Sequence, residues 1–156
     1  MKYILLGLLL TVSFMQGKSQ SVTVTSKSFE ANEIKQISRF IGNVKVVKGY
    51  DTITANKLVI HFDKKRKPIE YIATGNAKFK LILNKKHYSG KANEIIYDPN
   101  KKIYHFIGNA FLQDLNSSKK IYGDDIQIDQ LNGKYDVKSD GKKPVKFIFK
   151  VKDNTK

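Results

Sequence analysis

The tripeptides Gly42-Asn43-Val44, Gly75-Asn76-Ala77 and Gly108-Asn109-Ala110 decide the fold of this chain, because they recur 33 residues apart. Self-similarity at a fixed period indicates one supersecondary unit that is stacked several times, so that each copy buries the apolar face of its neighbour. Glycine at the same place in every copy predicts a kink within a strand, where the backbone needs a positive φ or a close approach.

A second element alternates with the first. It reads Ala-Asn-Glu-Ile at residues 31–34 and 92–95, Ala-Asn-Lys-Leu at 55–58 and Gly-Asp-Asp-Ile at 123–126. Apolar residues five positions apart flank three copies, in the pairs Phe29 and Ile34, Ile53 and Leu58, and Ile121 and Ile126. Odd spacing places two residues on opposite faces of a straight strand. Both face one interior only if the strand bends, so we expect each element to mark a corner where a long strand passes from one sheet to another.

Strand patterns dominate the rest of the chain, and the predicted fold class is all-β. Strands are predicted over 22–25, 44–47, 58–62, 79–83, 126–128 and 145–151. Apolar residues alternate with lysine over 145–152, with Ile148 as the exception. Asp63, Asp98 and Asp129 each follow such a strand at equivalent places in the repeat. Aspartate in these positions is typical of turns, because its carboxylate accepts hydrogen bonds from nearby backbone N–H groups.

The N-terminus has the pattern of a secretory signal peptide. Lys2 precedes an uncharged, largely apolar stretch at residues 3–17, and polar residues follow it. These 15 residues would rise only about 22 Å as a helix, against about 30 Å of bilayer hydrocarbon. We therefore predict a cleaved signal over residues 1–19, one β domain over 22–152 and a disordered tail over 153–156. The chain has no cysteine, which excludes disulfides and a lipoprotein-type anchor.

The charge of the chain is strongly basic. The net charge is +15, and removal of residues 1–19 leaves +13 (27 basic minus 14 acidic residues). Such a surplus favours an anionic partner, such as nucleic acid, an acidic membrane surface or a phosphorylated lipid, although solubility alone is an equal explanation. Arg39 and Arg66 are the only arginines, so diffuse attraction by lysine is favoured over bidentate recognition.

The ordered series of Gly-Asn and Ala-Asn elements over residues 22–137, behind a signal peptide, resembles the OstA-like family of lipopolysaccharide transport proteins. The resemblance implies a twisted, open β-jellyroll with an apolar groove that holds the acyl chains of lipid A. It also implies a periplasmic location and head-to-tail stacking into a bridge between inner-membrane and outer-membrane partners of related fold.

The alternation of the strands predicts which residues line such a groove, with ordinary core packing as the alternative for each. The predicted lipid-binding residues are Leu58, Ile60, Phe62, Phe79, Leu81, Leu83, Ile95, Tyr97, Ile126, Ile128, Phe147 and Phe149. Lysines at strand ends could attract the phosphates of lipid A or simply belong to solvated turns; they are Lys64, Lys65, Lys85, Lys86, Lys101 and Lys102.

The terminal strands are the predicted oligomer interface. Unpaired edge strands recruit other chains, and a heterologous contact that does not close on itself builds a filament. The residues predicted to form the contact are Val22, Val24, Val145, Phe147, Ile148 and Phe149.

No catalytic or metal-binding constellation is recognisable in the sequence, so neither enzymatic activity nor a cofactor is predicted. His61, His87 and His105 are scattered. Asn116-Ser117-Ser118 matches an N-glycosylation sequon. Two other functions stay open. One is an inner-membrane-anchored relative of the same fold that retains its N-terminal segment. The other is a secreted basic nucleic-acid-binding β protein, against which the signal peptide argues.

Overall fold

The computed structural model describes residues 21–153, and the regular secondary structure of this part is entirely β. The all-β prediction is confirmed. The predicted signal peptide and residues 154–156 of the predicted tail lie outside the described residues. Within residues 21–153 no helix is long and apolar enough to cross a membrane. The strands are β1 (Thr23–Thr25), β2 (Ser28–Asn32), β3 (Ile37–Lys48), β4 (Asp51–Phe62), β5 (Pro68–Leu83), β6 (Lys86–Asp98), β7 (Ile103–Asp114), β8 (Lys120–Asp129), β9 (Lys134–Lys138) and β10 (Lys146–Ile148).

All ten strands form one antiparallel sheet that does not close on itself. Its order is β1-β3-β4-β5-β6-β7-β8-β10, with β2 also paired to β3 and β9 also paired to β8. One end of the sheet therefore has β1 and β2 as its edges, and the other end has β9 and β10. The predicted open architecture is confirmed.

Each Gly-Asn dipeptide forms a β-bulge in the middle of a long strand. In β5, Gly75 and Asn76 lie opposite the single residue Asn93 of β6, and the same arrangement recurs in β3 and β7. The three bulge glycines have φ of +82° to +86°, and the asparagines after them have φ of 44° to 45°. A Cβ added at Gly75 would lie 2.6 Å from Nδ2 of Asn56. Glycine is thus required both by the backbone conformation and by the space beside it.

The bulges align across the sheet and divide it into two half-sheets that face each other. Phe79 and Phe106 stack with ring centroids 4.4 Å apart, although their strands, β5 and β7, are not neighbours. Half-sheet 1 comprises β1, β10 and residues 44–48, 51–55, 77–83, 86–92, 110–114 and 120–123. Half-sheet 2 comprises β2, β9 and residues 37–41, 57–62, 68–74, 94–98, 103–107 and 125–129.

The predicted bend is confirmed, and the predicted passage between two sheets is corrected. Ile53 and Leu58 both pack into the same core, as do Ile121 and Ile126, so the bend does bring residues of odd spacing to one interior. Strand pairing nevertheless continues on both sides of every bulge. The two layers are halves of one folded sheet, because a bulge re-aims a strand without separating it from its partner.

Two predictions at the edge strands were wrong. Asn32 ends β2, and its Oδ1 accepts a hydrogen bond from the N–H of Lys35 at 2.9 Å in the following turn. Ile34 lies in that turn and is 95% exposed, so it shares no interior with Phe29. The strand predicted over residues 145–151 is limited to Lys146–Ile148. An edge strand has one neighbour only, so the repeat does not fix its register or its length.

The aspartates predicted to begin turns do so. The Oδ1 atoms of Asp63, Asp98 and Asp129 each accept hydrogen bonds from backbone N–H groups two to four residues further along the chain, at 2.9–3.1 Å. Their place in the repeat therefore reflects hairpin geometry.

Candidate functional site

The two half-sheets enclose an apolar interior whose rows are set by the bulges. In half-sheet 2, the residues two and four positions before each bulge glycine face inward. They are Phe40 and Ser38 in β3, Ala73 and Tyr71 in β5, and Phe106 and Tyr104 in β7. Their partners on the intervening strands are Leu58 and Ile60, Ile95 and Tyr97, and Ile126 and Ile128.

An apolar cavity of about 100 Å³ lies in this interior. Half-sheet 1 contributes Val46, Ile53 and Leu81 to its lining, and half-sheet 2 contributes Leu58, Ala73 and Ile95 together with three tyrosines. Lys48 and Asp51, which flank the β3–β4 turn, also line it. The cavity thus has apolar walls, with one basic and one acidic residue on one side.

The three tyrosines form a ladder across β5, β6 and β7. The ring centroids of Tyr71 and Tyr97 are 6.1 Å apart, and those of Tyr97 and Tyr104 are 4.2 Å apart in a stacked arrangement. Burial raises the pKa of all three phenols, and neighbouring phenols and the Asp51 carboxylate raise the pKa of Tyr97 and Tyr104 further. The hydroxyls therefore stay protonated at neutral pH. The ladder offers rings to an apolar chain and hydroxyls to a polar group.

The remainder of the interior is packed. Ile126 and Ile128 are fully buried, and Phe106 stacks on both Phe79 and Tyr104. The hydroxyls of Tyr88 in half-sheet 1 and Tyr135 in β9 are 3.1 Å apart, so they join the two half-sheets by a hydrogen bond. Sites for small molecules typically have volumes of about 300–1,000 Å³. The cavity is smaller than that range.

The predicted lining residues divide into three groups. Leu58, Leu81, Ile95 and Tyr97 line the cavity. Ile60, Phe79, Leu83, Ile126 and Ile128 are buried in the core beside it. The others lie away from the cavity: Phe62 is partly buried next to the β2–β3 turn, Phe147 lies at the β8 edge, and Phe149 is 54% exposed.

Sequence reasoning missed nine lining residues. One is Val22, which was assigned to the oligomer interface, and the others are Val46, Lys48, Asp51, Ile53, Tyr71, Ala73, Pro99 and Tyr104. Tyr71 and Tyr104 both stand four residues before a bulge glycine, and Ala73 stands two residues before one. Counting back from the glycine of each repeat would have identified these three. Val46 and Ile53 are paired directly across β3 and β4. Their place in the lining could be identified only once this pairing was known.

A second depression, at the β8 end of the sheet, contains a buried carboxylate. Asp114 lines it together with Lys86, Tyr88, Tyr135 and Phe147. Burial by itself would raise the pKa of Asp114. The backbone N–H of Asn116 at 2.8 Å, both the hydroxyl and the N–H of Ser117, and the charge of Lys86 outweigh burial, so the pKa lies below its ordinary value.

Acidification is expected to destabilise the fold through Asp114. A carboxylate whose pKa is lowered by folding stabilises the protein above its unfolded pKa of about 3.9, and this contribution is lost as the pH falls through the folded pKa. Urea midpoints measured from neutral pH down to about pH 2 should therefore fall more steeply for the wild type than for Asp114→Asn. Equal acid sensitivity of the two proteins would contradict this account.

The predicted sequon lies in the same turn. Oδ1 of Asn116 accepts a hydrogen bond from the N–H of His87 at 3.1 Å. Modification of this asparagine stays a prediction.

Comparison with known proteins decides the family. A family model described as "LptA/(LptD N-terminal domain) LPS transport protein" matches residues 23–134, more than two thirds of the chain. The chain belongs to this family of lipopolysaccharide transport proteins. The resemblance drawn from the Gly-Asn and Ala-Asn elements is confirmed.

Two known proteins resemble this chain, one in sequence and one in fold. The chain is 28% identical over 135 residues to the lipopolysaccharide export system protein LptA of Haemophilus influenzae, covering 84% of this chain and 77% of that protein. The crystal structure of LptH, the LptA-homologous periplasmic component of the lipopolysaccharide transport device of Pseudomonas aeruginosa, superposes with a TM-score of 0.73. It covers 85% of this chain and 96% of LptH at 16% identity, so this likeness concerns the fold alone.

Proposed function

We propose that this protein carries lipopolysaccharide through the periplasm by holding the acyl chains of lipid A between its two half-sheets. The apolar cavity beside Tyr71, Tyr97 and Tyr104 is the observation that carries the proposal. Acyl chains cannot cross an aqueous compartment unshielded, since exposure to water costs about 0.8 kcal/mol per CH₂. Binding and transport, without catalysis or a cofactor, account for the whole site.

Loading proceeds by separation of the half-sheets in this proposal. The Phe79–Phe106 stack and the Tyr88–Tyr135 hydrogen bond join half-sheet 1 to half-sheet 2. Acyl chains that enter between the halves replace aromatic contacts by aliphatic contacts, so the apolar interior stays shielded from water. The hydroxyls of the tyrosine ladder then lie beside the polar part of the lipid.

Photo-crosslinking at paired positions tests the groove. A photoreactive phenylalanine analogue in place of Tyr71 or Tyr97 should trap lipopolysaccharide, because both rings line the cavity. The same analogue in place of Ile72 or Ile96 should not, because these direct neighbours are also half-buried but face outward. The two residues of each pair lie on the same strand, are buried to a similar degree and carry the same analogue. They differ only in the face of the sheet to which they point. Equal labelling at all four positions, or labelling only at the outward pair, would reject the groove.

The periplasmic location rests on residues 1–19, which we propose are a cleaved signal. N-terminal sequencing of the mature protein should begin after them. An intact N-terminus in the membrane fraction would favour the inner-membrane-anchored relative of the same fold.

We also propose that copies join head to tail, and that the same contact binds inner-membrane and outer-membrane components of related fold. The sheet ends in β1 and β2 on one side and in β9 and β10 on the other. Exposed apolar residues occur at both ends, including Val22 and Phe29 at the first and Phe147 and Ile148 at the second. An edge-to-edge contact of unlike ends would extend both half-sheets, and with them the interior, from one copy to the next.

Proline scanning of β10 tests this contact. Residues of an antiparallel strand alternate between those that bond the partner strand and those whose N–H and C=O face away from it. One of Phe147 and Ile148 therefore bonds β8, with which both are paired, and the other presents its backbone groups to an incoming strand. Of the variants Phe147→Pro and Ile148→Pro, one should abolish concentration-dependent association while keeping the thermal stability of the wild type. A wild-type protein that stays monomeric at high concentration in analytical ultracentrifugation would overturn the proposal.

A further inference from the structure

The outer face of half-sheet 1 is positively charged. Its two outward rows run from β1 to β10 and contain six lysines and no acidic residue within the described part of the chain: Lys45, Lys78, Lys80, Lys91, Lys120 and Lys146. We call this surface the lysine face. Among residues 21–153 no ion pair involves any of these six side chains.

The outer face of half-sheet 2 is different. Its two corresponding rows mix Glu30, Glu94, Asp125 and Asp136 with Arg39, Lys57 and Lys138. Positive charge on the outside of the sheet is therefore concentrated on one of its two faces. General solubility does not require such segregation.

The arrangement on the lysine face is unfavourable without an anionic partner. Lys78 and Lys91 lie directly opposite each other on β5 and β6, where like charges destabilise a sheet. A depression of about 720 Å³ on this face is lined by Lys45, Lys78, Lys80 and Lys91, by the hydroxyl residues Thr52, Thr54 and Ser89, and by Phe79, Gly90 and Phe111. Ammonium and hydroxyl groups are donors that suit the oxygens of phosphate groups.

Apolar side chains border the lysine face at its β10 end. Phe111 and Tyr122 pack with their ring centroids 4.8 Å apart, and Nζ of Lys146 lies 4.6 Å from the centroid of Tyr122. Ile148 is exposed in the same outward row as Lys80 and Lys120. A membrane interface accommodates this combination, because it offers anionic phosphates beside an apolar layer. A soluble polyanion offers the phosphates without the apolar layer.

We propose that the lysine face docks the protein on anionic phospholipid headgroups at a membrane surface. The site is separate from the interior groove, because the six lysines and the tyrosine ladder lie on opposite sides of the sheet. Lysine suits this task, since flexible point charges attract many phosphates without fixing one geometry. Attachment would be reversible, and strand pairing at β10 would leave the lysine face uncovered because it uses backbone groups.

Vesicle co-sedimentation of the mature protein tests the proposal. We expect binding to phosphatidylcholine vesicles that contain about one third phosphatidylglycerol, no binding to pure phosphatidylcholine, and loss of binding when salt is raised from about 50 mM to about 500 mM. The variant with Lys45→Gln, Lys78→Gln, Lys80→Gln and Lys91→Gln should bind anionic vesicles about a hundredfold or more less tightly.

A matched control distinguishes the effect of losing the lysine face from the effect of lowering the net charge. The variant with Lys64→Gln, Lys65→Gln, Lys101→Gln and Lys102→Gln removes the same number of charges from the hairpin turns of half-sheet 2, and it should bind within about threefold of the wild type by this proposal. Equal loss in both variants, or binding to neutral vesicles, would overturn the lysine face. Tighter binding to an RNA oligonucleotide than to vesicles, lost with the same four lysines, would replace the membrane by nucleic acid. Lysine-face variants should keep lipopolysaccharide crosslinking at Tyr97, so the two proposals fail separately.

Discussion

Replacing Gly108 by alanine is expected to lower the free energy of unfolding by about 2–4 kcal/mol. Gly108 has a φ of +82°, and a Cβ at this position would lie 2.5 Å from Nδ2 of Asn93 on β6. The substitution therefore combines backbone strain with a steric clash in the row where the sheet folds. Urea denaturation followed by circular dichroism measures the loss.

Two control variants separate the strain from the clash. Gly133 also has a positive φ, +62°, but nothing lies within 4 Å of a Cβ built on it. Gly133→Ala should cost only about 1 kcal/mol, the conformational cost alone. In the background of Asn93→Gly, the cost of Gly108→Ala should fall toward the same value, since the clash has been removed. Equal costs for Gly108→Ala in both backgrounds would show that the bulge glycine is needed for its φ and not for its space.

Replacing Phe106 by alanine is expected to lower the free energy of unfolding by about 3–5 kcal/mol. Phe106 is 1% exposed, and its ring contacts Phe79 across the interior and Tyr104 along its own strand. The variant should lose a large fraction of a total stability that is about 5–15 kcal/mol for ordinary domains. Phe111→Ala is the matched control, because Phe111 is on the same strand but faces outward and packs only partly buried against Tyr122. It should cost about 1 kcal/mol.

The same residue links stability to loading. Phe106→Leu should keep the fold and weaken the contact between the half-sheets, because leucine cannot stack on Phe79. Lipopolysaccharide should then crosslink at Tyr97 at lower concentrations than in the wild type. A Phe106→Leu variant that is stable but loads less lipid would show that the aromatic stack belongs to the binding surface and does not close it.

The folded sheet was largely predictable from the repeat, because the repeat records a backbone constraint. Glycine at residues 42, 75 and 108 has the positive φ that was expected, and the odd spacing of Ile53 and Leu58 correctly indicated a bend. The prediction of a bend was wrong for the first Ala-Asn element, at residues 31–34, for a physical reason. Residues 31–34 match the repeat in letters, but the residue that packs on Gly42 in the structure is Lys27. An edge strand has neither the second neighbour nor the register that makes asparagine useful there.

The shape of the interior could not be predicted from the sequence. Periodicity places Leu58, Phe79 and Ile126 on the inner face, but it does not say how far apart the two inner faces lie. That separation is set by contacts between strands that are not neighbours, such as the stack of Phe79 on Phe106 and the hydrogen bond from Tyr88 to Tyr135. A close-packed interior and an empty one have the same alternation of residues. The cavity therefore emerged only from the structure.

The 33-residue period corresponds to two strands, since its glycines stand in β3, β5 and β7. Neighbouring strands are about 4.8 Å apart, so each unit adds about 10 Å along the direction of stacking. Duplication of one internal unit would lengthen the molecule by that step and leave both terminal faces unchanged. The number of units therefore sets the length of the apolar interior, which gene duplication can change only in whole steps of about 10 Å.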